Sequence, residues 1–316
     1  MLRVYEAFMN DYLAVPVICG DKTASERFPG AVKTFCLEAM VQDRKAIQAG
    51  TSHFLGQNFA KAAGIEFQSR EGKLEHAWTT SWGASTRMVG MLLMTHGDDD
   101  GAIIPPRIAA SQVVIIPFIP KEEHRAAILQ KAEEIAAQLR AASYEGEPVR
   151  VEIDTRDVNG STKNWDWIKR GAPLRLEIGP RDLEAGTVAL ARRDRGPKEK
   201  ESLALESLTQ QVPAILAEIQ LSLFDRALTF QQEHTKKIDT KEEFYQFFTP
   251  KNSDKPEIHG GFALTHWNGC PEVEAKIKED LKVTIRCIPF EETPEADICP
   301  FSGEPSRQRV VFGKSY

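Results

Sequence analysis

The stretch Thr79-Thr80-Ser81-Trp82-Gly83-Ala84-Ser85-Thr86-Arg87 carries the residue types of an anion site. On an extended strand Ser81, Gly83, Ser85 and Arg87 share one face, while Trp82, Ala84 and Thr86 share the other. The apolar run Met88 to Met94 that follows has the composition of a buried helix, so Arg87 is expected at a strand-to-helix junction. A planar fork of N–H donors, beside a glycine that permits close approach, suits two-point capture of a phosphate there. An arginine that caps a sheet edge is the alternative. Upstream, Gln48, Thr51, Ser52 and His53 gather neutral hydrogen-bonding groups around Gly50. A bulge at that glycine would turn residues of both parities toward one pocket. Such groups suit a small polar ligand better than a metal, although His53 taken alone reads rather as a satisfied core histidine.

The elements that position these residues must come from a long chain. Its 316 residues exceed one compact core and allow two or three domains. A composition of 41% hydrophobic and 27% charged residues fits a globular protein and excludes a disordered or fibrous one. With 40 Lys and Arg against 46 Asp and Glu, the net charge of −6 argues against a simple polybasic binder of nucleic acid or membrane. Any RNA contact must then come from a local patch. The longest apolar run, Val113 to Ile119, falls far short of the ~20 residues of a membrane helix, and acidic residues stand where a signal peptide would be apolar. A cytoplasmic chain without membrane contact is expected. The five cysteines, Cys19, Cys36, Cys270, Cys287 and Cys299, are odd in number and scattered, as reduced thiols are.

Texture divides the chain into 1–108, 109–205 and 206–316, a multidomain arrangement of α/β and α+β parts. The middle segment opens with a strand at Val113 to Ile119. A helix follows from Lys121 to about Ala142, with Ile128, Ala132, Ile135, Ala136 and Leu139 on one face. Strands at Val149 to Ile153, Leu174 to Ile178 and Thr187 to Leu190 then imply a parallel sheet with helical crossovers. Gly196 to Ser202 reads as a charged surface connection, Pro213 to about His234 as a long helix with Ile215, Ile219 and Leu223 inward, and Arg309 to Phe312 as a final strand. Asp98-Asp99-Asp100-Gly101 lacks the spacing of a calcium loop and reads as a solvated turn.

The blocks IQAGTSHFLGQNFAKA and TTSWGASTRMVGMLLMTHGDDDGAIIPPRIA resemble prolyl-tRNA synthetase, a class II aminoacyl-tRNA synthetase, and the second resembles that class's third signature motif. The resemblance continues through QVVIIP, DTRDVNGSTKNWDWIKRGAPLRLEIGPRDLEAGTVALARRD, HTKKIDT and RCIPF to VVFGKSY, and is to the archaeal and eukaryotic type. It implies part of a class II antiparallel-sheet catalytic domain, an α/β anticodon-binding domain and a small α+β C-terminal domain. It also implies ATP with Mg2+, L-proline and tRNA(Pro) as substrates, and a homodimer in the complete enzyme. Catalysis would rest on Arg87 and His53. ATP would contact Gln48, Thr51, Ser85 and Arg87, and proline would contact His53, Trp82 and Gly83. The C-terminal tyrosine, Tyr316, would pack back toward the active site.

Where the resemblance puts the anticodon-binding domain, Lys163 to Lys200 holds ten Lys or Arg against six Asp or Glu, a local net of +4. Trp165, Lys169, Arg170, Arg175, Glu177, Arg192 and Arg193 supply stacking rings, phosphate partners and a base-edge acceptor for tRNA. A solvated charged face is the alternative for any one of them. Two departures from the family follow. The chain begins after the first and second class motifs, so it is expected to be an N-terminally truncated part that is inactive alone. A noncatalytic synthetase-derived tRNA-binding or regulatory protein is the alternative. Trp267 and Ser302 stand where many members carry zinc-binding cysteines, which leaves Cys270, Cys299 and at most His266, so no structural zinc is expected.

Overall fold

The Lys33–Met40 and Ala46–Gly56 strands form an extended antiparallel pair in the computed structural model of the protein, which describes residues 1–197, 199–250, 252, 260–290 and 295–316. They belong to an eight-stranded sheet whose order is Thr235–Lys237, Phe262–His266, Arg309–Gly313, Thr284–Pro289, Val17–Asp21, Lys33–Met40, Ala46–Gly56 and Thr79–Gly83. Every neighbouring pair is antiparallel except the first, which is parallel. The sheet draws on both ends of the chain, and residues 1–10, 15–95 and 228–316 cluster as one unit. The segments expected as separate at 1–108 and 206–316 thus share hydrogen bonds, through Gly20 opposite Pro289 and Asp21 opposite Ile288. Pairing between residues so far apart in sequence has no local signature, so texture alone could not reveal it.

The second unit comprises residues 11–14 and 96–227. Its five-stranded sheet runs in the order Val151–Ile153, Val113–Pro117, Leu174–Ile178, Thr187–Arg192 and Glu201–Ala204. The first three strands are parallel as expected, but the last two are antiparallel, which corrects the reading of a wholly parallel sheet. The physical reason is length: a parallel return takes a dozen or more residues, and the six-residue helix Pro180–Ala185 supplies too few. The helix Arg125–Ala141 buries Ile128, Ala132, Ile135, Ala136 and Leu139, the face read from its period. They pack with Val113, Ile115, Leu174, Leu176 and Ile178 into one core.

The helix expected from Pro213 runs instead over Leu208–Glu233 with the proline inside it. Leu208 and Val212 extend the fully buried stripe of Leu216, Ile219 and Leu223 toward the N-terminus, and Ile215 is only partly buried. In the charged connection, Glu201 and Ser202 have joined the sheet opposite Leu190 and Ala189, and Lys198 lies outside the described residues. Among the described residues no helix is long and apolar enough to cross a membrane.

Candidate functional site

The strand bearing Gln48 is bulged. Gln48 pairs with Glu38, but Gly50 pairs with the adjacent Leu37, so Ala49 is an extra residue in the Ala46–Gly56 strand. Thr51 then faces Cys36 and His53 faces Thr34. Because paired residues point to the same face, the bulge brings Gln48, Thr51 and His53 to one side of the sheet. Without it Gln48 and Thr51 would point oppositely. The neighbouring strand adds Ser81 opposite His53 and Gly83 opposite Thr51 to the same face. Trp82, opposite Ser52, belongs to the other face and is half exposed, so it does not join His53 as expected.

Thr79–Gly83 ends at the glycine, and Arg87 opens the helix Arg87–His96, the strand-to-helix junction read from sequence. The Ser85 hydroxyl accepts a hydrogen bond from the Arg87 backbone N–H at 3.3 Å. The helix is not fully buried as expected: Met91 and Leu92 are inside, but Val89 and Leu93 are exposed. A cavity of about 550 Å³ opens here, lined by Gln48, Ser85, Thr86, Arg87, Arg286 and Tyr316 among others. The Arg87 side chain makes no ion pair among the described residues and is available to a ligand.

Beside this cavity lies an ionic cluster that sequence reading missed. Glu38 is fully buried and accepts hydrogen bonds from Lys22 Nζ at 2.8 Å and from Arg286 Nε and Nη2 at 3.0 and 2.9 Å. Lys22 also donates to the Arg286 carbonyl at 2.7 Å. The available signal was a single acid inside the apolar run Phe35-Cys36-Leu37-Glu38-Ala39-Met40, at a position where burial demands a partner.

His53 is half-buried. Its Nδ1 lies 3.0 Å from Thr34 Oγ1, and its ring centroid lies 4.7 Å from that of Phe28. Burial pushes its pKa below the ordinary histidine value, which favours the neutral ring at pH 7. The contacts of the ring are thus a hydroxyl and an aromatic face, and among the described residues His53 belongs to no group of three or more side chains that could hold a metal.

In the second unit the expected RNA-contact set divides. Trp165, Lys169 and Arg170 are exposed along the helix Gly160–Arg170, and Glu177 is half-buried, accepting from Asn164 Nδ2 at 2.8 Å and Lys200 Nζ at 2.7 Å. Arg175, Arg192 and Arg193 are buried, which removes them as surface partners of RNA. Arg192 is engaged by Asp194 and Glu218. Arg193 grips both carboxylate oxygens of Asp98, so the acidic turn is an anchor and not merely solvated. That hydrogen bonding overcomes burial and holds the Asp98 carboxyl below its ordinary range. Arg175 meets Asn164 at 3.3 Å beneath the helix, and burial pushes its pKa down to about 10.

The C-terminal cysteine region does not fit a closed four-ligand zinc site. Trp267 donates to the Cys270 carbonyl at 3.0 Å, the Cys270 thiol meets Glu272 at 2.8 Å, and Cys299 is buried. Among the described residues no group of three or more His, Cys, Asp or Glu could hold a metal.

Comparison with known proteins covers the whole chain. The family described as "Prolyl-tRNA synthetase, C-terminal" matches residues 255–316, and "Anticodon binding domain" matches residues 112–215. The chain is 57% identical over 320 residues to proline–tRNA ligase 2 of Anaeromyxobacter dehalogenans, with all of this chain and 62% of that protein aligned. It is 52% identical to the proline–tRNA ligase of Protochlamydia amoebophila and 47% identical to that of Akkermansia muciniphila, again with all of this chain aligned. The chain spans 62% of the length of each of these relatives. The similarity extends from the cavity at Arg87 through the five-stranded sheet to Tyr316, and by it the chain belongs to the prolyl-tRNA synthetase family.

Proposed function

We propose that this chain is part of a proline–tRNA ligase that uses ATP with Mg2+ to activate L-proline and transfers it to tRNA(Pro). In that reading the proline carboxylate attacks the α-phosphorus of ATP and pyrophosphate leaves. The terminal ribose hydroxyl of the tRNA then attacks the carbonyl of the adenylate and AMP leaves. The observation that carries the reading is the single sheet face holding Gln48, Thr51 and His53 beside the Ser85–Arg87 junction.

Arg87 holds the terminal phosphate, with Ser85, Gln48 and Thr51 on the nucleotide. Its fork neutralises charge that grows on the phosphates and costs no reorganisation at the moment of reaction. His53, neutral at pH 7, walls the proline pocket with Gly83 and adds no charge to repel the substrate's ammonium. Trp165, Lys169, Arg170 and Glu177 contact the anticodon loop from the 109–205 segment. The complete enzyme is a cytoplasmic homodimer.

The test is proline-dependent exchange of pyrophosphate into ATP. It is measured for this chain and for a longer polypeptide that continues it to the length of its relatives. Exchange by the longer polypeptide with proline, and not with alanine, is the expected result. No exchange with proline in the folded longer polypeptide overturns the reading.

A further inference from the structure

The cavity at the strand-to-helix junction is reached by a second guanidinium that is only partly committed. Arg286, in the Thr284–Pro289 strand, is 7% exposed. Its Nε and Nη2 both donate to Glu38 Oε2, and its Nη1 donates to Thr284 Oγ1 at 3.1 Å. A guanidinium carries five N–H bonds. Three are used, which leaves one on each terminal nitrogen without a partner among the described residues, and the side chain lines the cavity with Gln48, Ser85 and Arg87.

Charge points the same way. Glu38 gives its other oxygen to Lys22, so two cations share one carboxylate and the buried trio keeps an excess positive charge. An uncompensated buried charge is costly, and an anion arriving in the cavity would relieve it. The charged side chains lining the cavity are Arg87 and Arg286, both cations. They come from different elements, the start of a helix and a strand of the C-terminal segment. A cavity of about 550 Å³ leaves room for more than a single phosphate between them.

We infer that Arg286 is a second anion-binding residue of this cavity and that its ligand is a polyphosphate chain, held by Arg87 from the helix and by Arg286 from the sheet. The inference rests on the nucleotide reading of the cavity proposed above. Glu38 aims the guanidinium through two of its donors, and Lys22 offsets the carboxylate so that the field of Arg286 reaches the ligand.

The probe is inorganic tripolyphosphate, titrated by calorimetry into the full 316-residue chain at fixed ionic strength, with sulfate as the comparison anion. The unaltered chain is expected to bind tripolyphosphate more tightly than sulfate. Arg286→Lys keeps the charge but cannot serve Glu38 and the ligand at once, and should weaken binding about tenfold. Arg286→Gln should abolish it. If Arg286→Gln fails to fold because Glu38 loses its partner, Arg286→Lys, checked by circular dichroism, decides.

Failure of the unaltered chain to bind overturns the inference. So does unchanged affinity in a folded Arg286→Lys chain, or equal affinity for sulfate. Tripolyphosphate carries neither nucleoside nor proline, which separates the two readings. Absence of proline-dependent exchange in the folded longer polypeptide, with Arg286-dependent binding intact, would sink the ligase reading alone. Binding that depends on Arg87 but not on Arg286 would sink this inference alone.

Discussion

The phenol of Tyr316 donates its hydrogen bond to the carboxylate of Asp43, while the Lys45 ammonium stands 4.2 Å from the centroid of the same ring. The tail continues the contact, with Ser315 bridging to Ala46 and the Ala46 backbone N–H donating to the Lys314 carbonyl at 2.7 Å. The last residues of the chain are thereby tied to the strand that carries Gln48. Burial opposes ionisation of Asp43, but hydrogen bonds from Tyr316 and Lys45 prevail and hold its pKa below the ordinary value.

Tyr316→Phe should therefore loosen the tail by about 1 kcal/mol, the worth of one hydrogen bond to a charged group at a partly exposed site. Hydrogen exchange at the Ala46 amide measures it. A group with a depressed folded pKa stabilises above its unfolded value and loses that stabilisation as pH falls through the folded one. The difference between the two chains should accordingly persist at neutral pH and fade below about pH 4. Equal exchange at neutral pH would show that the bond from the phenol to Asp43 adds nothing to the other contacts of the tail.

Arg87→Lys in the longer polypeptide should reduce pyrophosphate exchange at saturating proline by roughly tenfold or more, because a point charge cannot reproduce the planar fork. Unchanged turnover with unchanged dependence on ATP would remove Arg87 from the site.

His53→Ala should raise the concentration of proline required more than that of ATP, since the ring stands against Phe28 and Thr34, away from Arg87 on the sheet face. Steady-state kinetics with each substrate varied would show the split. Equal effects on both substrates would contradict it.

Acid sensitivity of the second unit should trace to His96. It is 2% exposed, with Nε2 2.9 Å from the Leu13 carbonyl, and burial, aided by nearby Arg226, pushes its pKa down to about 4. The unfolded chain takes up this proton near pH 6.5 and the folded ring refuses it until about pH 4. The stability that depends on the neutral ring is therefore complete above 6.5 and declines between 6.5 and 4, by up to about 3 kcal/mol. His96→Gln, which keeps a donor but cannot titrate, should flatten that limb in urea unfolding at pH 7 and pH 5. An unaltered slope would place the acid-sensitive group elsewhere.

Gly20→Ala should destabilise the eight-stranded sheet by about 2 kcal/mol or more. An added Cβ would stand 2.3 Å from the Ile288 carbonyl oxygen and 2.8 Å from Cys287 Cβ, and backbone in a sheet cannot step aside. Thermal melting checks this. A melting temperature within a degree of the parent would mean that the strands can separate slightly at Gly20.

Local pattern carried much of the fold and part of the candidate site. The 3.6 period of Ile128, Ala132, Ile135, Ala136 and Leu139, the junction at Arg87 and the bulge beside Gly50 all follow from interactions within a few residues, and each was legible from residue order. Gln48, Ser85 and Arg87 could be singled out for the same reason, since two short stretches contain them.

Which side chains are free to act was decided in three dimensions. Arg175, Arg192 and Arg193 look no different in sequence from Lys169 and Arg170, yet a helix laid over the strand, Glu218 far along the chain and the turn at Asp98 bury them. The pairing of Val17–Asp21 with Thr284–Pro289 likewise joins residues more than two hundred positions apart and brings Arg286 to Glu38. Sequence by itself determined the elements and the chemical types, because these depend on spacing along the chain. Only the tertiary structure determined partnership and burial, because the free energy of a charged side chain depends on which distant groups surround it.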